Sequence, residues 1–228
     1  MLYRSSAGNA APWHGAPGHR MPVKPFPSIH AFILGGGKSQ RANRDKAFLL
    51  YQGRYFIDIV IECASSLFGG VTLVGRRYDH HKLDAQYPDD VDGVGPLGGI
   101  LTALRRTDRK LNFFTAIDYP FIDREVVSFL AEQALSQGSR IDGLIPVMPD
   151  GLHPLFAFYS QTCVQAVERC ISHHHYRVRC IAGYARIVYL DVMSTDMSAG
   201  SRLAPDRIER NFVNINRYED YLDLIGEE

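Results

Sequence analysis

The sequence predicts an α/β fold in which helices cover both faces of a largely parallel central sheet. Three observations predict it. From Ile29 onward, short apolar runs alternate with segments of helical period. The first apolar run, Ala31-Phe32-Ile33-Leu34, stops in the glycines Gly35, Gly36 and Gly37. The run LNFFTAI at residues 111–117 is apolar at five of seven positions. Strand and helix signals in alternation are the pattern of βαβ units, and a strand that is apolar throughout is one covered on both faces.

In order along the chain, strands are expected at His30 to Leu34, Val71 to Val74, Leu111 to Ile117, Gly143 to Val147, Pro154 to Tyr159 and Arg186 to Leu190. Each is a short apolar run of strand length. Helices are expected between them at Tyr55 to Leu67, Leu97 to Arg106, Arg124 to Gln137, Gln161 to Ser172 and Tyr218 to Ile225, where the apolar residues recur with helical period. Pro96 stands where a first helical residue should be, since its missing N–H is one that no helix start can use. The segment 1–28 holds five of the 12 prolines, with scattered Gly, Ala and Ser. It cannot bury enough apolar surface to offset its ordering entropy, so it reads as a disordered extension, with residues 29–228 forming one domain.

Composition narrows the function. Twenty-five basic and 25 acidic residues cancel, so no whole-chain field argues for nucleic acid or an anionic membrane, and an anionic ligand must be held by local charge. Cys63, Cys163, Cys170 and Cys180 lack the spacing of a zinc ribbon or a CxxC motif and fit reduced thiols. No apolar run approaches the ~20 residues of a membrane span, and a cytoplasmic location is expected.

A strand that ends in three glycines turns sharply and brings bare N–H groups close to an anion. Two common phosphate motifs do not apply. A Walker A loop ending in Gly37-Lys38-Ser39 needs glycine at position 32, which is Phe32, and a GxGxxG fingerprint counted from Gly35 ends on Gln40. Asp118 follows the central apolar run directly, and in open α/β sheets ligands collect beyond the carboxyl ends of the strands. On position alone this residue reads first as a helix cap and second as a hard oxygen ligand for a cation. The histidine runs His80-His81 and His173-His174-His175 lack the i, i+4 spacing of paired metal ligands and read as exposed polar runs.

The stretch LGGGKSQRANRDKAFL at residues 34–49 resembles the signature of the molybdenum cofactor guanylyltransferases, LxGGxSxRMGxDK, with Leu34, Gly36, Gly37, Ser39, Arg41, Asp45 and Lys46 in register. Its Met-Gly is replaced by Ala42-Asn43, and asparagine tolerates left-handed backbone better than most residues. Four more segments follow in the family's order: Gly95-Pro96-Leu97-Gly98-Gly99-Ile100, Asp118-Tyr119-Pro120-Phe121, His153-Pro154-Leu155 and Phe212-Val213-Asn214-Ile215-Asn216. The resemblance spans residues 31–222 and implies a Rossmann-like nucleotidyltransferase fold of three layers.

It also implies that GMP passes from GTP to molybdopterin with loss of pyrophosphate and with Mg²⁺ as cofactor. Arg41, Lys46 and Asp118 become the catalytic residues, and Asp118 is also the metal ligand. Leu34, Gly35, Gly36, Gly37, Lys46, Asp89 and Asp118 become the GTP contacts, with Asp90 and Asp92 close enough to compete with Asp89. Asn214 and Asn216 either cap the last helix, the simpler reading, or face the pterin. Partners beyond the substrates are transient contacts with proteins that insert or chaperone the cofactor. Two other readings stay open: a cytidylyl- or sugar nucleotidyltransferase of the same fold, and a nucleotide-binding regulator without catalysis.

Overall fold

The computed structural model describes residues 24–36, 45–194 and 203–226. Strand β1 (Phe26–Leu34) opens the domain. A short hairpin of β2 (Leu50–Tyr51) and β3 (Arg54–Tyr55) leads into α1 (Phe56–Leu67), then β4 (Phe68–Val74), β5 (Ala85–Tyr87), α2 (Pro96–Arg106) and β6 (Leu111–Ala116). Next come α3 (Arg124–Gln137), β7 (Gly143–Met148), β8 (Gly151–Leu152), β9 (Ala157–Ser160) and α4 (Val164–Ser172). The chain closes with β10 (Ile187–Asp191), α5 (Pro205–Asn211) and α6 (Tyr218–Gly226).

The main sheet runs in the order β10-β7-β9-β6-β1-β4-β5, with β8 paired to β7. All its neighbours are parallel except those involving β9 and β8, which are antiparallel. Successive residues of β1 point to opposite faces, as a strand's period of two requires. Ala31 and Ile33 join α1 and α3 in one core, while Phe32 and Leu34 join α2 and α4 in the other. The result is a sheet between two helical layers, as the apolar runs predicted. Among the described residues no helix is long and apolar enough to cross a membrane.

Differences from the sequence reading have local causes. Strand β1 starts at Phe26 rather than His30, because Phe26 is buried against Phe68 (ring centroids 6.1 Å apart) and Ile29 is fully buried. Phe26 to Ser28 are therefore strand, and residues 1–23 of the expected extension lie outside the described residues. The strand expected from Pro154 begins at Ala157, since the Phe156 N–H turns back to the His153 carbonyl at 3.0 Å. The helix expected from Gln161 starts as a 3-10 turn, with the Ser160 hydroxyl accepting from the Thr162 N–H. The hairpin, β5, β8 and α5 are too short to carry a periodic signal.

Candidate active site

The register places the ends of three neighbouring strands level. Leu34 pairs with Val74 on one side and with Ala116 on the other, so Gly35, Gly75 and Asp118 leave the sheet at the same carboxyl edge. The Gly35 N–H donates to the Val74 carbonyl at 2.8 Å, and the Gly75 N–H to the Tyr87 carbonyl at 2.8 Å. The backbones of Gly36 and Gly75 then touch: a Cβ on Gly75, whose φ is +91°, would lie 2.5 Å from the Cα and N of Gly36. Only glycine meets both demands, a positive φ and a neighbouring main chain at that distance.

Asp89 closes this cleft from the loop after β5. A Cβ on Gly36 would meet its Oδ2 at 2.8 Å, and one on Gly99 would meet its Oδ1 at 3.3 Å. The small residues at the start of α2 thus let the carboxylate sit against the glycine loop. Gly95, with φ +61°, turns the chain into that helix ahead of Pro96. Of the three competing aspartates, Asp89 is the one that faces the loop. Asp90 is forked by Arg106 at 2.5 and 2.6 Å, which holds its carboxyl below the usual range, and Asp92 is exposed. Burial, reinforced by the charges of Asp92 and Asp90, pushes the Asp89 carboxyl up.

On the other flank, Asp118 stands just past the end of β6, with Lys46 Nζ 3.9 Å from its Oδ2. Both side chains are largely covered, at 21% and 19% exposure. Burial pushes the Asp118 carboxyl up; Lys46 and then contacts from its own backbone and Asn214 pull it back only in part. The Ile215 N–H donates to the Asp118 carbonyl at 2.9 Å, which ties the Phe212 to Asn216 segment to this strand end. His153 is buried below it, with Nε2 3.0 Å from Asp150 Oδ1 and its ring 4.9 Å from that of Phe212.

Asn214 consequently lies beside Asp118 and Tyr119 instead of capping the last helix. At that helix start Asp220 accepts from the Arg217 N–H at 2.9 Å, and Asn216 is exposed. Sequence spacing could not separate these two uses of an asparagine. Asp45, matched only as part of the signature, caps the turn that carries Lys46 through the Ala47 N–H at 3.1 Å. Gly37, Arg41 and the Ala42-Asn43 replacement lie outside the described residues.

Among the described residues, Asp89 Oδ1, Asp118 Oδ1 and Asn214 Oδ1 are buried without a hydrogen-bond partner. Native proteins rarely leave such atoms orphaned, and at the edge of a cleft they are open to completion by a ligand, ion or water. Asp118 and Asn214 stand on the β6 flank of the glycine cleft, and Asp89, whose Oδ2 faces Gly36, stands on the β5 flank. Such an arrangement can hold a cationic or donor-bearing ligand at both ends of a phosphate chain.

A second concavity, of about 710 Å³, lies toward the β10 edge of the sheet. Its lining includes Arg177, Arg179, Tyr176, Tyr184 and Tyr189 together with His174 and His175. Neither arginine has a carboxylate partner among the described residues, and no acidic side chain lines the groove.

A family model described as a MobA-like NTP transferase domain matches residues 31–186. A relative from Methanothermobacter thermautotrophicus, described as "Probable molybdenum cofactor guanylyltransferase", is 31% identical over 82% of this chain and 94% of its own. A relative of the same description from Clostridium perfringens is 29% identical over 86% of this chain and 95% of its own. The crystal structure of molybdopterin-guanine dinucleotide biosynthesis protein A from Archaeoglobus fulgidus superposes with a TM-score of 0.70 at 25% identity, over 87% of this chain and 98% of that one.

Proposed function

Because this chain belongs to the MobA-like NTP transferase family and is a nucleotidyltransferase of molybdenum cofactor biosynthesis, we propose that it transfers GMP from GTP to the terminal phosphate of molybdopterin. An acceptor phosphate oxygen bonds to the α-phosphorus while the bond from that phosphorus to the pyrophosphate oxygen breaks. The observation that carries this reading is the pair of carboxylates on opposite flanks of one glycine cleft, Asp89 and Asp118, each with one buried oxygen that has no hydrogen-bond partner among the described residues.

Asp89 fits the base end. Guanine presents two adjacent donors, N1–H and the N2 amino group, and a carboxylate is an acceptor-only fork that takes both. Cytosine and uracil offer a single donor on the corresponding edge. Asp118 fits the reacting end. Its buried Oδ1, without a hydrogen-bond partner among the described residues, suits a hard cation, and Mg²⁺ commonly takes one or two carboxylates and completes its shell with substrate phosphates and water. A lone carboxylate is therefore sufficient on the protein side, and the ion would supply positive charge to phosphate oxygens as the α-phosphorus is attacked.

Lys46 adds a fixed positive charge next to Asp118, where the departing pyrophosphate needs neutralising, and Arg41 is proposed to share that task. The nucleophile is a phosphate already ionised at neutral pH, so no general base is needed. Catalysis is then positioning and charge stabilisation. Arg177 and Arg179 of the second groove, without a carboxylate partner among the described residues, fit the acceptor's anionic, ring-bearing end. Strand β10 is three strand spacings from β6, roughly 14 Å at ~4.8 Å each.

Three expected outcomes test the reading. Pyrophosphate release with molybdopterin should be supported by GTP and not by CTP, ATP or UTP. In the same panel Asp89→Asn should lose roughly 10- to 100-fold in GTP kcat/KM, the worth of one charge-assisted hydrogen bond, and should gain with xanthosine triphosphate, whose edge offers one donor and one acceptor. CTP preference in the wild type would transfer the chain to a cytidylyl reading. Independently, Arg179→Ala should raise the KM for molybdopterin about tenfold with the GTP KM unchanged; an unchanged acceptor KM would remove the groove from the acceptor's path.

A further inference from the structure

The two ends of the stretch between Gly36 and Asp45 are both fastened to the same pair of residues after β4. At the first end, Gly36 touches the Gly75 backbone. At the second, Arg76 forks Asp45: its Nη1 donates to Asp45 Oδ1 at 2.9 Å, and its Nη2 donates to Oδ2. The arginine stem lies across the glycine loop, with Cγ and Cδ 2.6 Å from where a Cβ on Gly35 would stand. Its guanidinium carbon is 6.0 Å from the centre of the Phe48 ring. The carboxylate that Arg76 grips is the same one that caps the Lys46 turn. That turn is closed further by the Phe48 N–H on the Asp45 carbonyl (3.0 Å) and the Leu49 N–H on the Lys46 carbonyl (3.1 Å).

We propose that Arg76 is a positioning residue for nucleotidyl transfer: by holding Asp45, it sets where the Lys46 ammonium stands relative to Asp118 and the substrate's phosphates. This rests on the reading of Lys46 as the residue that neutralises the triphosphate. Lys46 is a point charge on a flexible stem, so its effect on a transition state depends on where its backbone is fixed. The planar fork of arginine defines both distance and direction to a carboxylate, which lysine cannot do. A partly exposed ion pair adds little to global stability. The contribution of this one lies in geometry, where misplacement by an ångström is costly to catalysis.

The test is a double-mutant cycle of Arg76→Met, which keeps the stem over Gly35 and loses the fork, with Lys46→Ala. Turnover, GTP KM and melting temperature are read on all four proteins. Arg76→Met alone should lower kcat about tenfold, with the melting temperature within about 4 °C of wild type. In the Lys46→Ala background it should change kcat less than twofold, because there is no ammonium left to position. Arg76→Met with wild-type kcat, when Lys46→Ala is impaired, overturns the positioning role and leaves Lys46 in place. The same loss in both backgrounds also overturns it, since Arg76 would then act on substrate or fold by itself. Wild-type activity of Lys46→Ala overturns both the positioning role and the reading it rests on.

Discussion

Replacing Asp118 by asparagine is expected to reduce metal-dependent pyrophosphate release by about a thousandfold or more while leaving the domain folded. The change keeps the size of the side chain and removes the charge, and one preorganised charged group at a reacting centre is worth about 10²–10³ or more in turnover. Stability should move the other way. Burial raises the Asp118 carboxyl above its ordinary value, and Lys46 and Asn214 offset only part of that. A carboxyl with a raised folded-state pKa stabilises the fold fully only below the unfolded value and loses that contribution as pH rises through the folded one. In the absence of metal and nucleotide, Asp118→Asn should thus melt at or above the wild-type temperature near pH 7, and the two curves should converge near pH 3. A mutant with wild-type turnover would remove Asp118 from the mechanism, and one melting many degrees lower would make the residue structural.

This opposition between stability and use explains why the site was only half legible in the sequence. The strands that build the edge were readable because burial on both faces leaves an unbroken apolar run, as in Phe113-Phe114, which pack toward opposite cores. The glycine loop was readable because its backbone demands exclude side chains, and Asp118 because it follows the central apolar run without a gap. Asp89 was harder. It sits among Asp90 and Asp92, and only the fork of Arg106 on Asp90 and the close approach of its own carboxylate to Gly36 and Gly99 single it out. Those are contacts between segments separated along the chain, which local spacing does not encode.

Other parts were hidden for the same physical reason. Asn214 reads equally well as a helix cap, and it is the Ile215 N–H on the Asp118 carbonyl that brings it to the site. Arg76 follows β4 as one more basic residue in Gly75-Arg76-Arg77, and nothing local couples it to Asp45 31 positions earlier. The antiparallel β9 breaks the parallel pattern because the chain turns at His153 to Phe156 and re-enters the sheet between β6 and β7. A single apolar run carries no record of its direction in the sheet.

Removing the Lys46 side chain, as Lys46→Ala, is expected to lower GTP affinity and turnover together, by a combined few kcal/mol in kcat/KM. The ammonium is 3.9 Å from Asp118 and its side chain is only 19% exposed, so its charge acts where solvent screens it poorly. A solvated lysine at the start of a turn would instead cost under about 0.5 kcal/mol of stability and nothing in catalysis. The pH dependence gives a second, independent sign. Among the influences on Asp118 that favour its ionised form, Lys46 is the largest. Its removal lets burial raise that carboxyl further, so the acid limb of the pH–rate profile should move to higher pH. Lys46→Arg should restore the limb and part of the affinity but not full turnover, because a planar fork cannot occupy the position of a compact point charge. Calorimetric GTP binding with pyrophosphate-release profiles from pH 5 to 9 on the two mutants and the wild type gives all three quantities. If affinity, turnover and the acid limb of Lys46→Ala all match the wild type, Lys46 has no part in the reaction, and Asp118 must be satisfied by the metal and substrate alone.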